Sequence, residues 1–282
     1  MNAQQLRNSI LQQAIQGKLV PQDPADEPAS VLLQRIRKEK ERLVKEGKLK
    51  KKDLESKSIE EDEIPFEIPK GWEWMRWGDL SESIQYGYNA PAKQNGRIKM
   101  VRISDIQNGR IVWDTVPFCD INEVEIETYL LKKNDILFAR TGGTVGKSYL
   151  VKDTPEEAIY AGYLIRTRYS NQLCPKYLKY FMESTLYWSQ LKEGTIATAQ
   201  PNCNGKTLAK MILPIPPLAE QRRIVAKIEE LMPLVERYGK AQQALDQLNE
   251  SLPARLRQSI LQEAIQGRLV PQTRRRNLHR SC

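Results

Sequence analysis

Histidine is almost missing from this chain of 282 residues; the only one is His279. A Ser-His-Asp or Cys-His nucleophile therefore has no base to draw on, and a histidine-rich metal site has no ligands. No Pro-Asp dipeptide occurs, which removes the usual carboxylate–lysine signature of metal-dependent nucleases. The four cysteines, Cys119, Cys174, Cys203 and Cys282, form no CxxC pair, so they give neither a zinc pattern nor a disulfide framework. No apolar run approaches the length of a membrane span, and the N-terminus lacks the charged-then-apolar pattern of a signal peptide. These absences lead us to expect a non-catalytic, cytoplasmic protein without a metal or cofactor of its own.

What is present is a repeat. Residues 6–22 read LRNSILQQAIQGKLVPQ and residues 256–272 read LRQSILQEAIQGRLVPQ, differing only at Asn8/Gln258, Gln13/Glu263 and Lys18/Arg268. Nothing between the copies resembles them, which excludes a short-period solenoid and suggests one module flanked by the same helical unit. The net charge of +9 and a pI near 9.3 point to an anionic partner, most commonly nucleic acid.

The period of the apolar residues divides the chain. Leu6, Ile10, Leu11, Ala14 and Ile15 share one helix face over residues 3–16, and Gly17 follows where a glycine closes a helix. A second helix is predicted from Pro28 to Gly47, with a narrow stripe of Leu32, Ile36 and Leu43. The mixed-charge run 48–63 has no apolar face and reads as a solvated linker. At residues 64–80 prolines, glycines and Trp72, Trp74 and Trp77 replace the charged pattern, and a domain begins. To residue 216, short β-like runs (98–104, 110–116, 135–141, 147–152, 158–169) alternate with turns, and one helix is predicted at 175–193. This is an α+β domain with a mostly antiparallel or mixed sheet, its tryptophans expected in packing rather than as a base-stacking platform.

After Pro217 a long helix is predicted. Ile224, Ile228, Leu231, Val235, Tyr238, Leu245 and Leu252 keep a 4–3 spacing, with polar Gln242 and Asn249 on the same seam. That is a heptad pattern, expected to form a coiled-coil interface with another helix. Pro233 and Pro253 should kink or interrupt it. The expected organisation is a helical region and linker at 1–63, the α+β domain at 64–216, a helical spacer at 217–272 and an irregular basic tail at 273–282. The tail breaks the repeat pattern, and we read it as an early end rather than a basic arm.

Three polar loops are candidates for touching the anionic partner. ARTGGTVGKS (139–148) resembles a phosphate-binding loop, but the required first glycine is Thr141 and a strand follows, so nucleotide binding is rejected. Arg140, Thr141, Gly142, Gly143, Thr144 and Lys147 still form a tight loop able to meet phosphates or base edges. Residues 197–206 add Gln200, Asn202, Asn204 and Lys206, amide and ammonium groups suited to adenine, guanine or phosphate. The stretch 86–99 contributes Tyr88, Lys93, Asn95 and Arg97. Taken alone, the glycine loop is equally well a β-hairpin turn and 197–206 is more often just a loop; three polar loops in one basic chain favour double-stranded DNA.

The segments EIPKGWEWMRWGDL, LKKNDILFARTGGTVGKSYLV, PIPPLAEQRRIVAKIEELMPLVE and ILQEAIQGRLVPQ together resemble the specificity subunit of type I restriction-modification systems. That resemblance implies a target recognition domain reading one half of a split DNA site, and helices that dock modification (M) subunits, with the restriction (R) subunit joining through the complex. It also implies that S-adenosylmethionine, ATP and Mg belong to partner subunits. The family usually carries two recognition domains; one is found here. The sequence is therefore similar to a half-length form, expected to act as a homodimer or with another half-subunit. Alternatives are a truncated or silent cassette for recombination, and a coiled-coil scaffold whose central domain binds protein.

Overall fold

In a computed structural model the protein is described over residues 1–54, 57–107, 109–195 and 202–270. Two helices open the chain, α1 (Ala3–Ile15) and α2 (Ala29–Lys45). Then come β1 (Glu73–Arg76), α3 (Trp77–Leu80), β2 (Ser81–Tyr86), β3 (Ile98–Val101), β4 (Ile106–Gln107), β5 (Arg110–Ile111), β6 (Phe118–Cys119) and α4 (Glu123–Tyr129). The order continues with β7 (Ile136–Ala139), β8 (Ser148–Leu150), β9 (Ala158–Tyr160), β10 (Leu164–Tyr169), α5 (Pro175–Phe181), α6 (Thr185–Thr195), α7 (Gly205–Lys210), β11 (Ile212–Ile215) and α8 (Leu218–Ile265). The fold is α+β, with N-terminal helices, a central sheet-bearing domain and a long C-terminal helix.

The chain divides into two compact units, Arg7–Leu231 and a smaller one of Met1–Leu6 with Met232–Cys282. The larger unit takes in most of α1, all of α2 and the first turns of α8, where the sequence places boundaries at 63/64 and 216/217. Its principal sheet runs β2-β10-β7-β8, antiparallel throughout. A second sheet, β6-β3-β9, pairs β3 with β9 in parallel and with β6 antiparallel. The pairing is thus mostly antiparallel, with one mixed sheet, as expected.

Strand alternation explains the core. Val101, Ala158 and Tyr160 from the second sheet join Leu137, Ala139, Tyr149 and Leu164 from the first in one buried cluster. The intervening residues Ile98, Met100 and Ile159 turn to the opposite face and pack with Ile121 and Ile126 beneath α4. Both faces of β3 and β9 are therefore buried, which suits their nearly continuous apolar sequence. One charge cluster is enclosed with them. Asp135 accepts from Arg168 Nε (2.9 Å), and Arg166 lies over the Tyr160 ring at 5.2 Å while its Nη2 donates to Gln85 Oε1 (2.5 Å). Burial pushes the Arg166 guanidinium down and the Tyr160 hydroxyl up from their ordinary values.

The first repeat copy is seated in this unit. Ile10, Leu11, Ala14 and Ile15 are buried, Arg7 pairs with Glu183, and Thr185 Oγ1 donates to Gln12 Oε1. Gly17 has φ +68° and closes α1 against Pro69 so tightly that a Cβ would stand 2.3 Å from Pro69 Cγ. Trp72 Nε1 and Gln22 Nε2 both donate to the Glu220 carboxylate, at 2.8 and 3.1 Å. Burial raises the Glu220 carboxyl above its ordinary range against the pull of those donors. The tryptophans pack as expected: Trp77 is buried against Phe181, and Trp74 meets Phe66 edge-on at 5.1 Å.

Three local expectations are corrected. The helix at 175–193 is two helices, because buried Ser184 caps α6, its Oγ accepting from the Tyr187 N–H (3.3 Å). The charged run 48–63 contains short 3₁₀ turns and is held by Arg76, which donates to Glu63 (2.6 Å) and the Ser58 carbonyl (2.8 Å). Pro233 and Pro253 lie inside α8 without interrupting it. Each proline removes one N–H donor and crowds the carbonyl four residues before it, yet the helix continues through both positions.

In the smaller unit Val235 is buried and the Tyr238 hydroxyl donates to the Met1 carbonyl (2.7 Å). Further along α8, Leu245, Leu248, Leu252, Leu256, Ile260 and Leu261 are all exposed. Nearly identical repeat sequence thus has opposite environments: Leu11 is 1% exposed and Leu261 56%. Among the described residues no helix is long and apolar enough to cross a membrane.

Candidate nucleic-acid interface

The antiparallel pairing of β10 with both β2 and β7 makes those two strands run parallel, so their C-terminal ends emerge together. Tyr86 ends β2, Arg140 follows β7, and Tyr163 precedes β10 at that same end. The Arg140 N–H donates to the Tyr163 carbonyl (3.1 Å), extending the ladder by one residue. Strands lie about 4.8 Å apart, so Tyr86 and Arg140 stand about two spacings from one another. Their long side chains close that gap, the guanidinium carbon lying 4.6 Å from the Tyr86 ring centroid.

The glycine loop grows from this end. Gly146 is its anchor: at φ +87°, a Cβ there would meet Leu191 and Trp188, and its carbonyl accepts from Tyr187 Oη (2.7 Å). Gly142 and Gly143 form the open tip, exposed and with nothing within 4 Å of an added Cβ. Thr141 and Thr144 are half-buried and Lys147 is exposed.

The second loop is joined to the first by backbone. Thr141 bridges Asn202, the Cys203 N–H donates to the Arg140 carbonyl (2.9 Å), and the Gly205 N–H donates to Tyr86 Oη (2.9 Å). Two loops some sixty residues apart in sequence thereby form one surface. Asn202 and Lys206 are exposed on it. Asn204 has a structural task as well, its Oδ1 accepting from the Thr207 N–H (2.9 Å) to cap α7. Cys203 is buried beneath, and burial pushes its thiol up to about 11, so it is neither a nucleophile nor a ready redox group. Gln200 lies outside the described residues.

The third predicted loop stands apart. Its backbone is tied to β6, with the Lys93 and Arg97 N–H groups donating to the Phe118 and Cys119 carbonyls (2.8 and 3.0 Å). Lys93 pairs with Asp120 and Arg97 with Glu123, and each cation holds its carboxyl below the ordinary range. Tyr88 packs edge-on to Tyr129 at 5.2 Å, while Asn95 is exposed. Its positive charge is thus locally cancelled. By contrast, the side chains of Arg140, Lys147 and Lys206 have no carboxylate partner among the described residues. Sequence reasoning missed Tyr86 and Tyr163, exposed at 40% and 65%; the tyrosine pair of the YGY stretch was a usable signal for the first.

The seam residues divide in the same way. Ile224 and Ile228 are fully buried inside the larger unit, so the chain's own packing already covers them. Leu231 is half-buried and Val235 buried, whereas Tyr238, Leu245 and Leu252 are exposed at 44%, 56% and 53%. Among the described residues no group of three His, Cys, Asp or Glu side chains is placed to hold a metal ion.

Residues 69–244 match the type I restriction modification DNA specificity domain, and the chain belongs to that family. The chain is 34% identical over 235 residues to the Escherichia coli type I restriction enzyme EcoAI specificity subunit, covering 80% of this chain and 39% of that one. To the EcoEI specificity subunit, also from Escherichia coli, it is 31% identical over 256 residues, covering 86% and 42%. The chain therefore spans about two fifths of the length of these relatives. Two solved structures share the fold at 21% identity, each aligned over 86% of this chain. One, from a study of type I R-M complex assembly, has a TM-score of 0.53 and is covered over 55% of its length. The other, the HsdS subunit from Thermoanaerobacter tengcongensis, has a TM-score of 0.50 and is covered over 54%.

Proposed function

We propose that this chain is a non-catalytic DNA specificity subunit that reads one half of a bipartite target and docks the modification subunits of a type I restriction-modification complex. The observation that carries the reading is the joined surface of the 140–147 and 202–206 loops, where three cations lack carboxylate partners among the described residues. A surface of open glycines, small hydroxyls, an amide and uncompensated cations suits phosphates and base edges together. The two repeat copies flanking one recognition domain suit a half-length form, in which two such units complete the layout. The exposed leucines of α8 support pairing with a second helix, most simply from another copy of the chain. In this reading the chain binds no cofactor; S-adenosylmethionine, ATP and Mg serve the partner subunits, and the restriction subunit joins through the complex.

The test is selection of duplexes from a random library by the purified full chain at several salt concentrations. Enrichment of a defined short word, with affinity falling steeply as salt rises, is the expected result. Retention of all duplexes alike would remove the specificity reading.

A further inference from the structure

Within the proposed surface one arginine is held in an unusual way. Arg140 makes no side-chain hydrogen bond or ion pair among the described residues, and its Nε is buried without a partner. Most other arginines of the unit are fixed by carboxylates or carbonyls, among them Arg76 by Glu63, Arg168 by Asp135 and Arg223 by Asp26. Among the described residues the one ring that Arg140 lies over is that of Tyr86, 4.6 Å away. The same tyrosine uses its hydroxyl to accept from the Gly205 N–H at the start of the second loop. Tyr86 thus both touches the cation of the first loop and fixes the backbone of the second. At 40% exposed it does not belong to the core.

We infer that Tyr86 is a specificity-determining positioning residue, which presents the Arg140 guanidinium to a single base pair of the DNA word. The inference rests on the DNA-reading function above. Guanidinium is a planar fork matched to the two major-groove acceptors of guanine, and its value in discrimination depends on a fixed plane. A ring face restrains that plane while leaving the terminal Nη donors free, which a carboxylate partner would not. Without the ring the side chain regains its rotamer freedom, and the cost of fixing it again on binding corresponds to about three- to tenfold in selectivity.

The full chain and its variants Arg140→Lys, Tyr86→Leu and Tyr86→Phe are compared by selection from a randomised duplex library, with sequencing of the bound fraction. Arg140→Lys and Tyr86→Leu should flatten preference at the same guanine-containing position, by about three- to tenfold, and leave the other positions sharp. Tyr86→Phe keeps the ring face, so it should retain preference at that position despite losing the Gly205 bond. If Tyr86→Leu weakens all sequences equally, or flattens a different position from Arg140→Lys, Tyr86 is merely structural and the inference fails. A word read unchanged by Tyr86→Leu removes this inference alone, whereas a wild-type chain that selects no word removes the DNA-reading function and this inference with it.

Discussion

Two leucines in the same sequence context test whether environment has been assigned correctly. Leu11 and Leu261 occupy equivalent places in the repeat, yet they are 1% and 56% exposed. Leu11→Ala removes three carbons from a closed seat, and changes of that kind cost about 2–5 kcal/mol. A central value of about 3 kcal/mol shifts the folded-to-unfolded ratio by more than a hundredfold. For a unit of this size it lowers Tm by roughly 6–12 °C. Leu261→Ala removes side chain that water already reaches, and alanine is an equally good helix former, so its cost should stay within about 0.5 kcal/mol. Urea unfolding of the dilute full chain is followed by far-UV circular dichroism, which reads both helices, and by tryptophan fluorescence, which reports the larger unit because Trp72 lies beside the α1 terminus. Equal losses from the two substitutions would refute the reasoning, whether both are small (α1 is not seated) or both large (the second copy is equally covered).

Further expectations follow from single contacts. Gly17→Ala places a Cβ 2.3 Å from Pro69 Cγ at φ +68°, and should destabilise the unit by about 1–3 kcal/mol in the same assay. Leu245→Asp or Leu252→Asp should abolish self-association in analytical ultracentrifugation while leaving the fluorescence-detected unfolding of the larger unit unchanged. Burial pushes the Glu183 carboxyl up, but Lys179 and Arg7 outweigh it and hold it below the ordinary range, even though burial pushes the Lys179 ammonium down. A folded value below the unfolded one contributes stability that is present above about pH 4.3 and lost as pH falls through the folded value. The stability difference between wild type and Glu183→Gln should therefore shrink on acidification; a pH-independent difference would contradict it. Lys147→Ala and Lys206→Ala should each lower the salt slope of DNA binding by about 0.9, with no change in the selected word.

The sequence made the helical frame legible because period and punctuation agree there. The apolar stripe of α1 ends at Gly17, and the 4–3 spacing of α8 persists through exposed Tyr238, Leu245 and Leu252. It could not tell which seam positions were already used: Ile224 and Ile228 continue the heptad, yet the larger unit buries them. The Ser184 cap was hidden because an apolar pattern continues across it, and one buried hydroxyl decides the break. The site was legible as residue types in loops, not as a surface. Joining 140–147 to 202–206 depends on strand order and on backbone bonds that leave no mark in composition. The 86–99 stretch looks equally basic in sequence, but Asp120 and Glu123, distant along the chain, cancel its charge. Tyr86 escaped notice because its role is set by two partners, Arg140 and Gly205, that only the fold brings to it.

The most direct measurement is genome-wide adenine methylation in cells expressing the cognate modification subunit, with and without this chain. The account predicts a new methylated motif that appears only with the chain: an interrupted palindrome if two copies pair, since a twofold assembly reads one word inverted on both sides. An unchanged methylation pattern, with the chain present and bound to the modification subunit, would contradict it.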